Sequence, residues 1–310
     1  MSDFKTVIYS RPEGVDVALD YALPAGASAR APAPILLWFH GGGLLQGFRK
    51  VMPPHIQRAP QRGLCVVSAD YRLAPQTRLP GIMADIKACI EYLRSAEFAA
   101  ETGGAVDQKK IVVSGGSAGG WLALLLASGI GFKECGMEPP AHPAACAAIY
   151  PITDITDRFW TTPQRPVSYL GTEVDREPLL PYLDPEAPKT SYSLPTDARS
   201  QMYHYMLQEG IEQQLLLGGG EEGASVGVSP ASFRIAAGIG SGKFVLPPTY
   251  IIHGTLDDKV PPRQSEEVAH AAEAVGLPIE LDLVEGADHL FDFDEGVQMD
   301  AMYKFIKSVL

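Results

Sequence analysis

The stretch Ile111-Val112-Val113-Ser114-Gly115-Gly116-Ser117-Ala118-Gly119-Gly120-Trp121-Leu122-Ala123-Leu124-Leu125-Leu126 decides the fold. A β-branched run leads in, G-x-S-x-G occupies positions 115–119, and a helix-compatible apolar run leads out. Strand, tight glycine turn and helix in that order lift one serine hydroxyl above the carboxyl edge of a sheet, the arrangement called a nucleophile elbow. Glycine-rich turns also serve purely structural ends, so the pentapeptide gains its meaning from the rest of the chain.

Working outward, continuous apolar runs of strand length recur at Ile35 to Phe39, Leu64 to Val67, Ala144 to Tyr150 and Thr249 to Ile252. Runs of this kind suit strands buried on both faces of a parallel sheet. Thr6 to Tyr9 and Val15 to Leu23 instead alternate apolar and polar residues, as half-buried antiparallel edge strands do. Helical periodicity separates the strands: Gly81 to Phe98 sets Ile82, Ile86, Ile90 and Leu93 on one face, and Ser117 to Ile130 follows the elbow. Gln264 to Val275 predicts another helix, Ile279 to Val284 a strand, and Val297 to Leu310 a closing helix. The alternation predicts an α/β fold, a mostly parallel open sheet with helices on both faces, whose sites lie at the carboxyl ends of its strands.

From residue 152 to 246 no buried-strand run occurs, and the composition turns aromatic, Pro-rich and Gly-rich, including the triplet Gly218-Gly219-Gly220. A structureless loop of that length is improbable in a compact domain, so this region is expected to be an inserted, partly helical cap after the sixth strand. Residues 1–151 and 247–310 are then the catalytic core.

The net charge of −12 opposes binding to phosphate backbones and anionic lipid surfaces. No apolar run is long enough for a membrane span, and charges fill the segment 1–20 where a signal peptide would be apolar. These features predict a cytoplasmic protein acting on a small neutral or apolar molecule, without nucleic acid or membrane partners. A homodimer through an exposed edge is compatible with the sequence. Cys65, Cys89, Cys135 and Cys146 form no C-x-x-C pair, which fits free thiols better than a metal site or a disulfide frame. Asparagine is absent throughout, so there is no N-glycosylation acceptor.

A serine hydroxyl needs a base within reach, and the base needs a carboxylate to orient it. Among His40, His55, His142, His204, His253, His270 and His289, the order expected for an elbow serine, with the base last, selects His289. The acid belongs after the preceding strand, where Asp257 and Asp258 both stand. Asp257 is the chosen acid, Asp258 suits turn chemistry, and position separates the two only weakly. Acyl transfer also requires donors for an oxyanion. His40-Gly41-Gly42-Gly43 follows the strand Ile35 to Phe39, as the HGGG half of an oxyanion hole does, with the N–H of Ala118 as the other half.

Together, His40-Gly41-Gly42-Gly43, Asp70-Tyr71-Arg72-Leu73-Ala74-Pro75, Gly115-Gly116-Ser117-Ala118-Gly119, His253-Gly254 with Asp257, and His289 stand in the family order of the hormone-sensitive-lipase-like branch of α/β-hydrolases, which this chain resembles. The resemblance implies Ser117 as nucleophile, His289 as general base and acid, Asp257 as orienting carboxylate, and Gly42, Gly43 and Ala118 as oxyanion donors. It implies no metal or organic cofactor, and a structural role for 70–75 in tying down the HGGG loop. Two departures stand out. Many members carry an N-terminal helical cap segment, whereas strands begin here almost at once, and Gln76 replaces the acidic residue that usually follows the Asp-Tyr-Arg-Leu-Ala-Pro motif.

The expected activity is that of a serine carboxylesterase acting on a small to medium, largely apolar ester through an acyl-enzyme. Aromatic residues of the insertion, Phe159, Trp160, Tyr169, Tyr203 and Tyr205, suit an apolar pocket, although cap packing accounts for them equally. The pocket residues expected are Leu44, Trp160, Tyr203, His204 and Leu290. A lactone, a thioester or an aryl formamide, in secondary metabolism for example, is the alternative substrate on the same fold. A non-catalytic ligand-binding receptor is the rival of another class, and retention of His289 opposes it.

Overall fold

The structure, a computed structural model, describes residues 3–219 and 225–310. One sheet of eight strands organises it, in the order β1-β2-β4-β3-β5-β6-β7-β8. The strands are β1 (Lys5–Ser10), β2 (Val17–Ala22), β3 (Ala33–Phe39), β4 (Cys65–Ala69), β5 (Val106–Gly116), β6 (Ala145–Ile149), β7 (Thr249–Gly254) and β8 (Ile279–Val284). β2 runs antiparallel to both β1 and β4, and all pairings from β4 to β8 are parallel. This is the mostly parallel open sheet that the strand and helix alternation predicts.

Alternate residues of β3 feed two cores: Ile35, Leu37 and Phe39 enter one with Val113 and Trp121, and Leu36 and Trp38 enter the other with Ile149, Ile252 and Ile306. Both faces are therefore covered, which explains why the central strands read as unbroken apolar runs. β2 departs from expectation. It is buried along its whole length rather than on alternate residues, because it lies inside the sheet between β1 and β4.

The helix Ala118–Ser128 is buried at every position, as its all-round apolar sequence requires, and stops at Gly129 in the left-handed conformation. The single helix predicted for 81–98 is two, Leu79–Leu93 and Ala96–Glu101. Ser95 divides them by capping the second, its hydroxyl accepting a bond from the N–H of Phe98 at 3.2 Å. Between β6 and β7 no strand is described. The segment instead carries short helices, among them Arg158–Thr161, Met202–Glu209, Glu212–Leu217 and Ile235–Gly240, whose Trp160, Met202, Leu215 and Ile235 join the main core. Gly220, the end of the glycine triplet, and the four residues after it lie outside the described residues. No helix among the described residues is long and apolar enough to cross a membrane.

Strand order reverses beside β3, which lies between β4 and β5. The loops leaving the carboxyl ends of β3 and β5 are thus neighbours, and the crevice between them is where an open α/β sheet places a ligand.

Candidate active site

Ser117 leaves β5 with φ 58° and ψ −125°, a strained conformation for a residue with a side chain. Two glycines make the turn possible by letting backbone meet backbone. A Cβ on Gly115 would lie 2.3 Å from the Gly119 carbonyl, and one on Gly119 would lie 2.1 Å from the Phe39 carbonyl oxygen. The N–H of Ser117 donates to the Ile149 carbonyl at 2.9 Å, anchoring the elbow to the end of β6.

The 40–43 loop lies directly against the elbow, since a Cβ on Gly41 would come within 3.0 Å of the Gly116 oxygen and 3.2 Å of the Ser117 Cβ. Gly42 turns with φ 102° and has the Gln46 carbonyl 2.3 Å from where its Cβ would be, so only glycine fits there. Ala118 opens a helix, where the first N–H groups have no intrahelical partner. Behind the loop, Tyr71 stacks on His40 at 4.3 Å and its hydroxyl donates to the His40 carbonyl at 2.8 Å. The N–H of Ala74 donates to the Leu44 carbonyl at 2.9 Å, and Asp70 accepts from the backbone and guanidinium of Arg49, each at 2.6 Å. Burial pushes the His40 imidazole down to about 4, so it stays neutral, and lifts the Asp70 carboxyl to about 6 against the pull of Arg49.

Asp257 and His289 lie beyond the ends of the next two strands, β7 and β8. Asp257 follows β7 and its Oδ2 meets His289 Nδ1 at 2.6 Å, while the backbone N–H groups of Lys259 and Val260 both donate to Oδ1 at 2.9 Å. Burial alone would raise this carboxyl's pKa, but hydrogen bonds from His253 and His289 outweigh it and hold Asp257 well below the usual carboxylate range. Asp258 faces solvent and pairs with the Lys259 ammonium at 2.7 Å. Asp257, not Asp258, is therefore the carboxylate placed on His289.

Ser117 and His289 share one cleft of about 340 Å³, whose wall includes Trp38, Gly41, Gly42, Tyr150, Leu194 and Phe293. Tyr203, His204 and Leu290 also line it, and Gly43 lies just behind, with the Tyr203 ring 2.8 Å from where its Cβ would be. Leu44 and Trp160, expected at the pocket, pack in the core instead. Leu44 turns inward with φ 63° while its carbonyl holds Ala74, and Trp160 packs edge-on against Phe159 at 4.6 Å. Of the insertion's aromatic residues named above, only Tyr203 lines the cleft; hydrophobic burial claims Trp160 and Tyr205, as it claims most large rings.

Two partners of the site escape sequence reasoning. His253, part of the family pattern but given no role there, is fully buried with Nε2 3.1 Å from Asp257 and Nδ1 2.7 Å from the Ser265 hydroxyl. The spacing of four between His253 and Asp257 was the available signal. Arg199, from the insertion, donates to the Leu45 and Ala74 carbonyls at 2.7 and 2.6 Å and to Gln76 Oε1 at 2.9 Å. Gln76 in turn donates to the carbonyls of Tyr182 and Asp184. An amide at position 76 can thus face a cation and two carbonyls at once, which a carboxylate cannot. No group of three or more His, Cys, Asp or Glu side chains placed to hold a metal ion occurs among the described residues.

Residues 36–293 match the sequence family described as alpha/beta hydrolase fold. A non-reducing polyketide synthase of Aspergillus calidoustus is 31% identical over 96% of this chain, and one of Emericella nidulans is 30% identical over 93%. The chain spans only 13% of the length of either synthase. Among solved structures, esterase 2 of Thermogutta terrifontis, phosphoramylated by tabun, superposes with a TM-score of 0.62 at 25% identity, over 98% of this chain and 91% of the other. Its butyrate-bound form superposes with a TM-score of 0.60 at 25% identity, over 99% and 91%.

Proposed function

The chain belongs to the α/β-hydrolase fold family, and on that premise we propose that it is a serine hydrolase cleaving small to medium carboxylic esters through an acyl-enzyme. The observation that carries this is the convergence of Ser117, the Asp257–His289 pair and the Gly41–Gly42 backbone on one largely apolar cleft. Ser117 Oγ attacks the ester carbonyl and passes its proton to His289 Nε2. The N–H groups of Gly42, Gly43 and Ala118 face the oxyanion, and His289 returns the proton to the departing alcohol. Water then attacks the acyl-enzyme, again losing a proton to His289, and Ser117 is released with its hydroxyl restored. Asp257, kept ionised by its four donors, fixes the tautomer of His289 and offsets the imidazolium charge that appears at each step.

Similarity to part of polyketide synthases favours a second reading of the same site, in which the acyl group is of polyketide type and is held as a thioester or lactone. Rates for esters, thioesters, lactones and aryl formamides separate the two readings through their kcat/KM ratios.

Ser117→Ala is expected to lower p-nitrophenyl butyrate hydrolysis by roughly 10³-fold or more and to abolish fluorophosphonate labelling with the fold intact. Unchanged turnover in that variant overturns the proposal. Asp257→Asn is expected to lower kcat by about 10⁴-fold and Asp258→Asn to leave it nearly unchanged. The reverse ranking reassigns the acid.

A further inference from the structure

The ring of Tyr150 fills the space between the elbow and the base. It lies 4.4 Å from the His289 ring, and a Cβ on Gly116 would meet its Cε2 at 3.1 Å and its hydroxyl at 3.2 Å. Tyr150 follows β6 with φ 36°, a left-handed value that a bulky residue adopts only when its surroundings impose it. Its N–H is tied to the Ile252 carbonyl at 2.7 Å, and its hydroxyl donates to Asp292 Oδ1. Asp292 lies three positions beyond His289 on the same loop and is fully buried. Its second oxygen meets His55 Nε2 at 3.2 Å, and the Tyr303 hydroxyl in turn donates to the His55 carbonyl at 2.8 Å.

The bond from Nδ1 to Asp257 fixes one end of the His289 imidazole but leaves it free to rotate about that axis. A packed aromatic face removes the remaining freedom, and a catalytic geometry misplaced by 1 Å costs heavily. We propose that Tyr150 is a positioning residue for His289, and that the buried Tyr150–Asp292–His55 network holds its ring between the elbow and the base. The network acts at both ends of that spacing: Tyr150 touches the imidazole and the elbow glycine, and Asp292 pulls the His289 loop down onto the Tyr150 hydroxyl. The Tyr150 hydroxyl donates to buried Asp292, so deleting that bond is expected to slow turnover more than it weakens substrate binding.

This inference rests on the proposed role of Ser117 and His289. Tyr150→Phe keeps the ring and deletes the bond to Asp292. Asp292→Asn keeps a group that can accept from Tyr150 and replaces the oxygen facing His55 with an amide. Both are compared with wild type in p-nitrophenyl butyrate turnover, melting temperature and the downfield proton resonance of the His289–Asp257 hydrogen bond. The expected result for Tyr150→Phe is a fall in kcat of about tenfold with KM within about twofold, and a shifted or broadened resonance in a folded protein. A smaller fall in kcat of the same kind is expected for Asp292→Asn. Wild-type kcat and an unmoved resonance in folded Tyr150→Phe overturn the inference. So does loss of folding in both variants, which marks the network as structural only. A wild-type protein that hydrolyses no ester and takes no fluorophosphonate overturns the functional reading itself, a result distinguishable from either.

Discussion

The elbow and the segment 152–246 between β6 and β7 hold their shapes by different means. At the elbow and beside His289, glycine lets backbone touch backbone: Gly115 on Gly119, Gly119 on Phe39, and Gly254 on the Ala287 carbonyl. In residues 152–246, long side chains add to the backbone ties, with Arg199 reaching Leu45 and Ala74, Gln208 holding Val174, and Gln213 holding Ile155. Several buried polar atoms there have no partner among the described residues, namely Trp160 Nε1, the Tyr169 hydroxyl and both oxygens of Glu212. A frame fixed by main-chain contact tolerates almost no substitution, whereas one fixed by long side chains can be retuned one residue at a time. The cleft wall draws on both, chiefly on the core, with Ser193, Leu194, Pro195, Ser200, Tyr203 and His204 contributed by residues 152–246.

Gly119→Ala breaks the comparison hardest, because its Cβ would strike the Phe39 and His40 carbonyl oxygens at 2.1 and 2.6 Å, neither of which can move without shifting β3. A loss of more than about 4 kcal/mol, read as a protein that no longer melts cooperatively, is expected. A stable Gly119→Ala protein would show that the elbow yields as the insertion does.

Arg199→Met tests the other frame. It leaves the carbonyls of Leu45 and Ala74 and the Gln76 oxygen without their donor, at a cost of about 2–4 kcal/mol by denaturant unfolding. Because Leu45 directly follows the 40–44 loop, kcat/KM should fall as well; stability lost with kcat/KM intact would detach residues 152–246 from the 40–44 loop.

Glu212→Gln has the smallest effect and the opposite sign. Burial, with the nearby Asp154 charge, raises the Glu212 pKa well above its usual value, so folding favours the protonated acid. The stability that this proton provides is complete below the unfolded pKa of about 4.3 and is lost as pH climbs from there toward the folded value. Glu212→Gln should therefore raise the melting temperature by a few degrees at about pH 8 and by less at about pH 5. An equal change at both pH values would mean that Glu212 is ionised where it lies.

Much of the fold and the order of the site could be read in the chain because the signals are local. Ile111 to Val113 can only be a buried strand next to a turn that needs Gly115 and Gly119, and His40 to Gly43 follows its own strand in the same way. Where reading failed, the deciding partner was distant. β2 looked half-exposed because nothing near Val17 announces β4, and Trp160 looked like a pocket wall because an aromatic ring carries no label for lining or packing.

By itself the sequence determined the alternation of strand and helix, the tight turn that carries Ser117 at the end of β5, and the sequential order of the residues proposed as oxyanion loop, nucleophile, acid and base. Periodicity and glycine are properties of neighbouring residues, so no tertiary knowledge was required. Only the tertiary structure decided that Asp257 rather than Asp258 meets His289 across 32 positions, and that Tyr150 bonds Asp292 across 142. Adjacent aspartates are equivalent to any local rule. They become different when burial gives one of them four donors and leaves the other to water.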